Sequence, residues 1–448
     1  MEVPNPGGLI MKAIELRWCV IGLCAALMAG CGGGSTSSCL GGGCDTTGNP
    51  ATVTATFPGA PTVVAARIGN GAFAEQTLSG NTLTLSIPSG TTNYSMAYLC
   101  PQFALTPTEQ LAVQVVAEAS TKDGTSPVFQ CSGNPPLGQI GMLTGEVDAS
   151  GIPGAGAVEV VAANGDFISG VDSGVDGVDL SFGFSAPAGS DRVGVFAMNT
   201  YSVGLGGTPT LLAAKTFSSQ MVPGDLDGGN PVVLSAADET SPEPITYINV
   251  PSGYSAPAAN AYFEMSGANV LITYGATNQY PALPAGAMAN GDLYSISATA
   301  YRQGSEEGVW GETTQASSGP VSITFPSPWT YLGPTPAVLP VFNFDYSGFS
   351  SNAGVLDTAG IEWTLGDSTN ALLEETDVVA TANYLNGSKT VAIPDLSSVP
   401  GFAISPNVSG YPISWFAEIE QSSSGVFQSP SPNATASGVQ NSGGYTLP

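Results

Sequence analysis

The chain has 448 residues, with 35 Asp and Glu against 8 Lys and Arg, no His, and a formal net charge of -27. Because nucleic-acid phosphates and anionic lipids are bound by Lys and Arg, this charge argues against nucleic acid and against electrostatic attraction to a lipid surface. The lack of His excludes Ser-His-Asp and Cys-His catalysis and HExxH zinc sites. With 58 Gly, 35 Pro and 42% hydrophobic residues, the composition is typical of a folded, turn-rich protein.

The first segment has the pattern of an export signal. Lys12 and Arg17 precede an apolar run of 12 residues, WCVIGLCAALMA, which ends at Ala29. As a helix this run spans about 18 Å, too short for the hydrocarbon core of a bilayer but suited to a signal peptide. No export signal needs residues 1–10, so we expect translation to start at Met11. We predict that residues 1–30 form a signal peptide.

The residues at the end of this signal resemble the lipobox of bacterial lipoproteins. Ala29 and Gly30 directly precede Cys31, while Met28 stands where that family usually has Leu. The resemblance implies that Cys31 carries lipid and becomes the acylated amino terminus, so that several acyl chains anchor the protein to the membrane. Gly32, where an Asp would retain an enterobacterial lipoprotein at the inner membrane, implies an outer-membrane or cell-surface location. The alternative is an ordinary secretory signal with an incidental cysteine.

The remaining cysteines suit an oxidising compartment. Residues 31–50 are rich in Gly and Ser, which predicts a flexible tether. Without the signal and lipid cysteines, four remain, an even number as a disulfide framework requires. We expect Cys39 to pair with Cys44 in a small local loop and Cys100 to pair with Cys131. A zinc site is the alternative, but the spacing of Cys39 and Cys44 suits zinc poorly.

From residue 51 onward, short stretches alternate between apolar and polar residues and are bounded by Gly, Pro, Asn or Ser. This pattern predicts an all-β fold of antiparallel strands, each with one buried face. The stretches are Thr52–Phe57, Thr82–Ile87, Leu180–Phe184, Arg192–Met198, Val270–Tyr274, Tyr294–Tyr301, Val321–Phe325, Val378–Tyr384 and Ile413–Ile419. One segment is ambiguous, because Thr106 and Glu109 have the spacing of a capping box before LAVQVVAEA, which favours a short helix there.

Weak internal similarity predicts tandem β-sandwich modules of immunoglobulin-like size. Residues 51–100 and 142–198 share one order of strands and turns, and two later stretches, ending at Trp310 and Phe427, match each other. Pro-rich or acidic turns near residues 139, 241 and 330 mark the boundaries. We therefore predict that four modules of about a hundred residues follow the tether. Their ranges are 51–139, 140–241, 242–330 and 331–448.

The second module carries the sequence LTGEVDASGIPGAGAVEVVAANGDF. About 25 residues here resemble the opening strands of carboxypeptidase-regulatory-like and related immunoglobulin-type modules. The resemblance rests on Gly, Val and Pro, and it implies a structural or binding module rather than an enzymatic activity.

We expect no cofactor, with calcium at two acidic segments as the alternative. Asp225, Asp227 and Asn230 place oxygen ligands on a Gly-rich turn, with further acids downstream at Asp238 and Glu239. The pattern fails as an EF-hand, because the glycine after Asp227 comes too early. The second segment contains Asp166, Asp172, Asp176 and Asp179. Solvated turns on an acidic protein are the alternative for both segments.

Acids beside tryptophans are candidates for glycoside hydrolysis, which needs two carboxyl groups in a cleft. These neighbours are Glu362 beside Trp363, and Glu418 with Glu420 near Trp415. Alternation places Glu418 and Glu420 on one strand face, opposite Ile419, which is also the pattern of a plain solvent face.

Aromatic rings in the C-terminal third are candidates for glycan binding, since flat rings stack on sugars. Trp329 and Tyr331 lie in the segment SPWTYLGP, which we expect to be an exposed loop, and Trp310 ends a hairpin. Core packing is the alternative, favoured for Trp363 and Trp415 within alternating strands.

Together these patterns predict a non-catalytic surface lipoprotein that acts as an envelope scaffold or adhesion element. Its partners would be the membrane, through the lipid anchor, and a polysaccharide or envelope protein. Glycan binding is the alternative function, and hydrolysis by carboxylates is a third.

Overall fold

The structure is a computed structural model of the chain. It describes residues 50–57, 61–100, 103–106, 109–129, 140–164, 167–172, 178–187, 192–200, 208–217, 224–226, 230–265, 268–329, 331, 333–344, 355–367, 370–402, 409–427 and 431–447.

The first predicted module forms two facing layers. Strands β1 and β4 make a two-stranded antiparallel sheet, and the other five strands belong to a larger sheet. Apolar residues of both layers form a common core that includes Phe57, Ile87 and Met96. The strands are β1 (Ala51–Thr56), β2 (Val63–Ile68), β3 (Ala74–Gln76), β4 (Thr82–Ile87), β5 (Asn93–Leu99), β6 (Phe103–Thr106) and β7 (Glu109–Ser120).

The second predicted module is a sandwich of two sheets of its own. One has the order β10-β9-β12-β13, and the other has β11-β8-β14 with β15 also paired to β8. The strands are β8 (Ile140–Asp148), β9 (Ala157–Asn164), β10 (Phe167–Asp172), β11 (Asp179–Pro187), β12 (Arg192–Met198), β13 (Leu211–Phe217), β14 (Gly224–Asp225) and β15 (Val232–Val233), followed by a 3-10 helix, Ala236–Asp238.

Strand β12 of this sandwich is buried along its whole length, because both of its faces are covered. Val193 and Val195 point into the core of the sandwich itself. Phe196 and Met198 belong instead to the core of the third module, which also contains Met265. The second module therefore docks on the third through the outer face of one of its sheets.

The third predicted module packs a three-stranded sheet, in the order β19-β16-β22, against four strands of the larger sheet. Buried Tyr280, Tyr294 and Phe325 lie between the two layers. The elements are β16 (Ser241–Ile248), β17 (Ala258–Met265), β18 (Ala268–Ala276), β19 (Gln279–Ala282), a 3-10 helix at Ala285–Ala287, β20 (Leu293–Tyr301), β21 (Gly308–Gln315) and β22 (Val321–Thr324).

The fourth predicted module packs the pair β23 and β26 against another four strands of the larger sheet. Phe342 and Val391 of the small sheet meet Trp415 and Ile419 of the large one. The elements are β23 (Val341–Asn343), β24 (Val355–Asp367), β25 (Asn370–Thr381), α1 (Ala382–Leu385), β26 (Thr390–Ala392), β27 (Pro412–Ser422) and β28 (Thr435–Thr446).

One sheet of 13 strands joins the first, third and fourth modules. Its order is β18-β17-β20-β21-β28-β27-β24-β25-β7-β5-β2-β3, with β6 also paired to β7. The third module meets the fourth where β21 pairs with β28, and the fourth meets the first where β25 pairs in parallel with β7. The all-β class with mainly antiparallel strands is confirmed, but the alternating pattern does not predict that three modules share a sheet.

The smaller sheets cover opposite faces of this large sheet. In β7, Val116 belongs to the core shared by the third and fourth modules, whereas Ala117 and Ala119 belong to the core under β1 and β4. Successive side chains of a strand point to opposite faces. The sheet of β1 and β4 therefore covers the face of the large sheet opposite to the one covered in the third and fourth modules.

The helix suggested at Glu109 is wrong, because this residue begins strand β7. The capping-box spacing is a local signal. Here it is overridden by the pairing of β7 with β5 on one side and with β25 on the other. Among the described residues, no helix is both long and apolar enough to cross a bilayer.

Candidate functional site

Three carboxyl groups gather on one face of the large sheet, where the third and fourth modules meet. Glu312 lies on β21, and Glu418 and Glu420 lie on β27, with β28 between the two strands. Trp310 and Glu420 both stand opposite Gly438 of β28, so their side chains share a face. We call Glu312, Glu418 and Glu420 the carboxyl cluster.

A glycine allows an indole ring to cross β28 within this cluster. A Cβ atom at Gly438 would lie 2.5 Å from Nε1 of Trp310, a separation that no side chain would tolerate. The ring therefore passes over the glycine, and its Nε1–H donates a hydrogen bond to Oε1 of Glu418. The hydroxyl of Ser295 donates to Oε1 of Glu312 at 2.6 Å.

Burial shifts the protonation of all three carboxyl groups toward the neutral form. Desolvation raises the pKa of Glu418 to about 7, and the hydrogen bond from Trp310 partly opposes it. The pKa of Glu420 rises to about 8, first from desolvation and then from the negative charges of Glu418 and Glu312. Desolvation also raises the pKa of Glu312, while the bond from Ser295 lowers it.

The position of Glu418 and Glu420 on one strand face agrees with the sequence alternation, but that face is not a plain solvent face. Only 5% of Glu418 is exposed. Trp415 lies on the opposite face of β27, in the core. The backbone of β24 places Glu362 opposite Ser414, and the side chains of Glu362 and Trp363 lie outside the described part of the structure. Carboxyl groups that titrate near neutrality can act as general acids, so hydrolysis remains an untested prediction.

The expected exposure of the SPWTYLGP loop is wrong at Trp329, while Tyr331 is partly exposed. Trp310 is 7% exposed and Trp329 is 4% exposed. Trp329 stacks on Tyr331, with ring centroids 4.9 Å apart and an interplanar angle of 11°, and it also stacks on Phe344. Trp415 meets Tyr331 edge to face. Ser327 and Pro328 of this segment are exposed, whereas Trp329 packs into the core, where its ring finds aromatic partners.

Each arginine of the described residues forms an ion pair with a buried acid. Arg67 pairs with Glu118, Arg192 with Asp292 at 2.6 Å, and Arg302 with Glu307 at 3.0 Å. These pairs were not predicted from the sequence, and the scarcity of Lys and Arg was the only available signal.

Two of these arginines join predicted modules. Nη2 of Arg67, in the first module, donates to Glu118 and to the hydroxyl of Tyr384 in α1, which belongs to the fourth module. Nη2 of Arg192, in the second module, bonds Asp292 of the third module and also the carbonyl oxygen of Ala287. Both contacts fix one module against another.

The candidate calcium turn is only partly described. Asp225 is exposed on β14, which pairs in parallel with β8, and Asn230 is also exposed, whereas Asp227 lies outside the described residues. Asp238 accepts hydrogen bonds from the backbone N–H and the hydroxyl of Ser235 at the start of its 3-10 helix. The described part of the chain shows no group of three or more His, Cys, Asp or Glu residues arranged to hold a metal. Calcium binding here stays a prediction.

The second acidic segment is described at two of its four positions. Asp172 ends β10 and Asp179 begins β11, where Asp179 is exposed. Asp166 and Asp176 lie outside the described residues.

Cys100 is the one candidate cysteine that the structure describes. It is buried and is part of a disulfide. Cys31, Cys39, Cys44 and Cys131 lie outside the described residues, so lipidation and both disulfide pairings stay predictions.

A groove lies between the second and third modules, beside the edge of β18. Its volume is about 370 Å³. The lining includes several neutral hydroxyl and amide side chains: Thr208, Thr210, Thr240, Thr273, Asn278 and Gln279. Junctions between modules are common places for small-molecule sites.

No protein-family model matches the chain, and a comparison with curated proteins finds no match.

Proposed function

We propose that the protein is a non-catalytic lipoprotein of the cell envelope and acts as a scaffold or an adhesion element. In this proposal an acylated Cys31 holds it at the outer membrane or cell surface, and residues 31–50 hold the folded part away from the lipid. The observation that supports it best is the sheet of 13 strands that runs through three modules.

A continuous sheet suits a protein that transmits force. Twelve strands side by side, at about 4.8 Å per strand, extend over roughly 50 Å. Load on one module reaches the next through backbone hydrogen bonds, whereas beads on flexible linkers would move independently. The contacts of Arg67 and Arg192 reinforce the joints between modules.

The test compares the full-length protein with Cys31→Ser in cells that lack the native copy. We expect the wild type to incorporate a palmitate analogue, to fractionate with the envelope and to restore envelope integrity or adhesion. Cys31→Ser should do none of these. Equal labelling of the two proteins would contradict lipidation at Cys31.

A second variant separates a scaffold from a hydrolase. Glu418→Gln with Glu420→Gln removes both carboxyl groups of β27 and should leave adhesion or envelope integrity unchanged. Loss of that function in a folded variant, together with loss of hydrolysis on a glycan panel, would favour the carboxylate enzyme instead.

The cysteine pairs belong to the same proposal. A link between Cys100 and Cys131 and another between Cys39 and Cys44 would suit an exported protein. Peptide mapping without reduction tests both, and a free Cys131 thiol in the exported protein would contradict the first.

Calcium at Asp225, Asp227 and Asn230 would appear as a rise in melting temperature in calcium but not in magnesium. Asp225→Asn with Asp227→Asn should remove that rise, and equal shifts in both proteins would exclude a specific site.

Glycan binding stays the second candidate function. The groove beside β18 supports it better than the aromatic rings that the sequence suggested, Trp310, Trp329 and Tyr331. Its hydroxyl and amide lining suits a neutral polyhydroxylated ligand, because such groups both donate and accept hydrogen bonds. Binding of a glycan panel by the wild type and not by a variant with Thr208→Val and Gln279→Leu would support this function.

A further inference from the structure

A buried carboxamide and a buried hydroxyl meet at the joint between the first and fourth modules. Gln114 of β7 stands opposite Thr376 of β25 in the parallel pair. The amide Nε2 of Gln114 donates a hydrogen bond to Oγ1 of Thr376 at 3.1 Å, between residues 262 positions apart in sequence. Gln114 is 2% exposed and Thr376 is 4% exposed.

On the same faces of the two strands, the described neighbours of this pair are apolar residues and one acid. Val116 and Val378, the next residues on the same face of each strand, belong to the buried core. Glu374 lies two residues before Thr376, on the same face, and is 9% exposed. Its Oε2 atom has no hydrogen-bond partner among the described residues, and desolvation raises the pKa of its carboxyl group.

We propose that Thr376 and Gln114 react with each other to form an intramolecular ester that links β25 to β7. Oγ1 of Thr376 attacks Cδ of Gln114 and forms the new C–O bond. The Cδ–Nε2 bond breaks, the nitrogen takes up the hydroxyl proton, and ammonia leaves. No oxidant, reductant or other reactant is required.

Two features of the fold favour this reaction. The two strands hold the reacting groups side by side, and such orientation replaces a bimolecular encounter by an intramolecular step. Burial keeps water away from the product, which protects the ester from hydrolysis, while the released ammonia is lost by dilution.

We assign the proton transfer in this step to Glu374, which lies two residues before Thr376 on the same face of β25. Its neutral form can protonate the departing nitrogen, and the resulting carboxylate can take the proton from the hydroxyl. A carboxyl group whose burial favours the neutral form suits this role better than an exposed one.

The ester would add a covalent bond to a joint that backbone pairing and side-chain contacts such as Arg67 with Tyr384 already hold. The pairing of β7 with β25 is the contact through which the first module enters the large sheet. A covalent bond there prevents the two strands from sliding apart under load. The inference does not depend on lipidation or on a role as a scaffold, because it concerns only the chemistry of the folded chain.

Peptide mapping of the full-length protein is the direct test. Few Lys and Arg residues are present, so a protease that cleaves at acidic or aromatic residues is suitable. We expect one linked species that joins the peptide containing Gln114 to the peptide containing Thr376, lighter than their sum by one ammonia. Hydroxylamine should separate the two peptides. Unlinked peptides with unmodified masses would overturn the proposal, and this outcome does not depend on the folding of any variant.

Matched variants then assign the chemistry. Thr376→Val and Gln114→Glu should abolish the linked species, Thr376→Ser should retain it, and Thr273→Val, which alters another buried threonine, should leave it unchanged. Glu374→Gln should reduce the linked fraction. A full linked fraction in Glu374→Gln would refute the role of Glu374, and a linked species in Thr376→Val would refute the ester.

Discussion

The junction around Arg192 and the carboxyl cluster each contain a buried acid, Asp292 and Glu418, but negative charge is compensated differently in the two regions. At the junction, Asp292 is neutralised by a guanidinium at 2.6 Å and also accepts a hydrogen bond from the backbone of Ala289. In the cluster, Glu418 and Glu420 face other carboxyl groups, and burial favours their protonated forms. An arginine thus neutralises the acid at this junction, whereas burial favours protonated acids in the cluster. The two regions should therefore respond differently to mutation and to pH.

The largest effect should follow from breaking the ion pair at the junction. Asp292→Ala leaves the buried charge of Arg192 without its partner, and we expect the free energy of unfolding to fall by about 3–5 kcal/mol. Denaturant unfolding at fixed pH measures this. The double variant Arg192→Met with Asp292→Leu should recover most of the loss, since apolar replacements remove both charges. If Asp292→Ala were as stable as the wild type, the ion pair would not hold the junction.

The carboxyl cluster should make the protein less stable as pH rises. A carboxyl group whose pKa is raised by folding stabilises the fold below its unfolded pKa of about 4.3 and loses that contribution up to its folded pKa. For Glu418 and Glu420 this window extends to about pH 7 and about pH 8. Within it, each titrating group should lower the unfolding free energy by about 1.4 kcal/mol per pH unit.

The matched control for this pH dependence removes the same number of charges from the surface. Glu418→Gln with Glu420→Gln should flatten the profile between pH 5 and 8 and stabilise the protein at pH 8. Glu75→Gln with Glu306→Gln changes two exposed acids and should leave the slope nearly unchanged. If both double variants flatten the profile equally, general repulsion at a net charge of -27 is the cause instead.

Trp310→Phe should produce a smaller change that depends on pH. The variant keeps an aromatic ring but loses the N–H that donates to Glu418. Because that hydrogen bond favours the ionised form, its loss should raise the pKa of Glu418 and shift the pH midpoint of destabilisation upward. We expect the free energy of unfolding to fall by about 1–3 kcal/mol at pH 9 and by less at pH 5, as measured by denaturant unfolding. An unchanged pH profile would contradict the role of the indole.

The smallest effect should come from Arg302, whose side chain is 54% exposed. Arg302→Gln should cost less than about 1 kcal/mol, because solvent screens an exposed ion pair. Glu307 also keeps the hydrogen bond from the hydroxyl of Tyr254. Denaturant unfolding under the same conditions measures both variants. If Arg302→Gln lost as much unfolding free energy as Asp292→Ala, exposure would not explain the difference between the ion pairs.

The sequence predicts strands well where their alternation is local. Thr82–Ile87 and Arg192–Met198 match β4 and β12 as they stand. Val378–Tyr384 is only partly correct, because β25 ends at Thr381, whose hydroxyl accepts a hydrogen bond from the backbone N–H of Tyr384 at the start of α1. A capping side chain can therefore end a strand and start a helix within a few residues, even where the apolar alternation continues.

The partners of the strands and the contacts of the site could not be read from the sequence. Nothing in the segment around Gln114 indicates that Thr376, 262 residues away, lies beside it. In the same way, alternation places Glu418 and Glu420 on one face but does not show that Trp310 covers Glu418. Both contacts depend on which strand edges meet, and edge pairing is decided by the whole fold.

The order of strands in the large sheet has a consequence for biosynthesis. The fourth module is made after the other three, yet it lies between the third and the first, with β28 against β21 and β25 against β7. Until residues beyond 331 have emerged, β7 and β21 each expose an unpaired edge, and such edges invite aggregation or a wrong pairing with each other. Native contacts so distant along the chain also slow folding. Synthesis of the chain therefore passes through a partly formed sheet whose two open edges need protection until the strands of the fourth module pair with them.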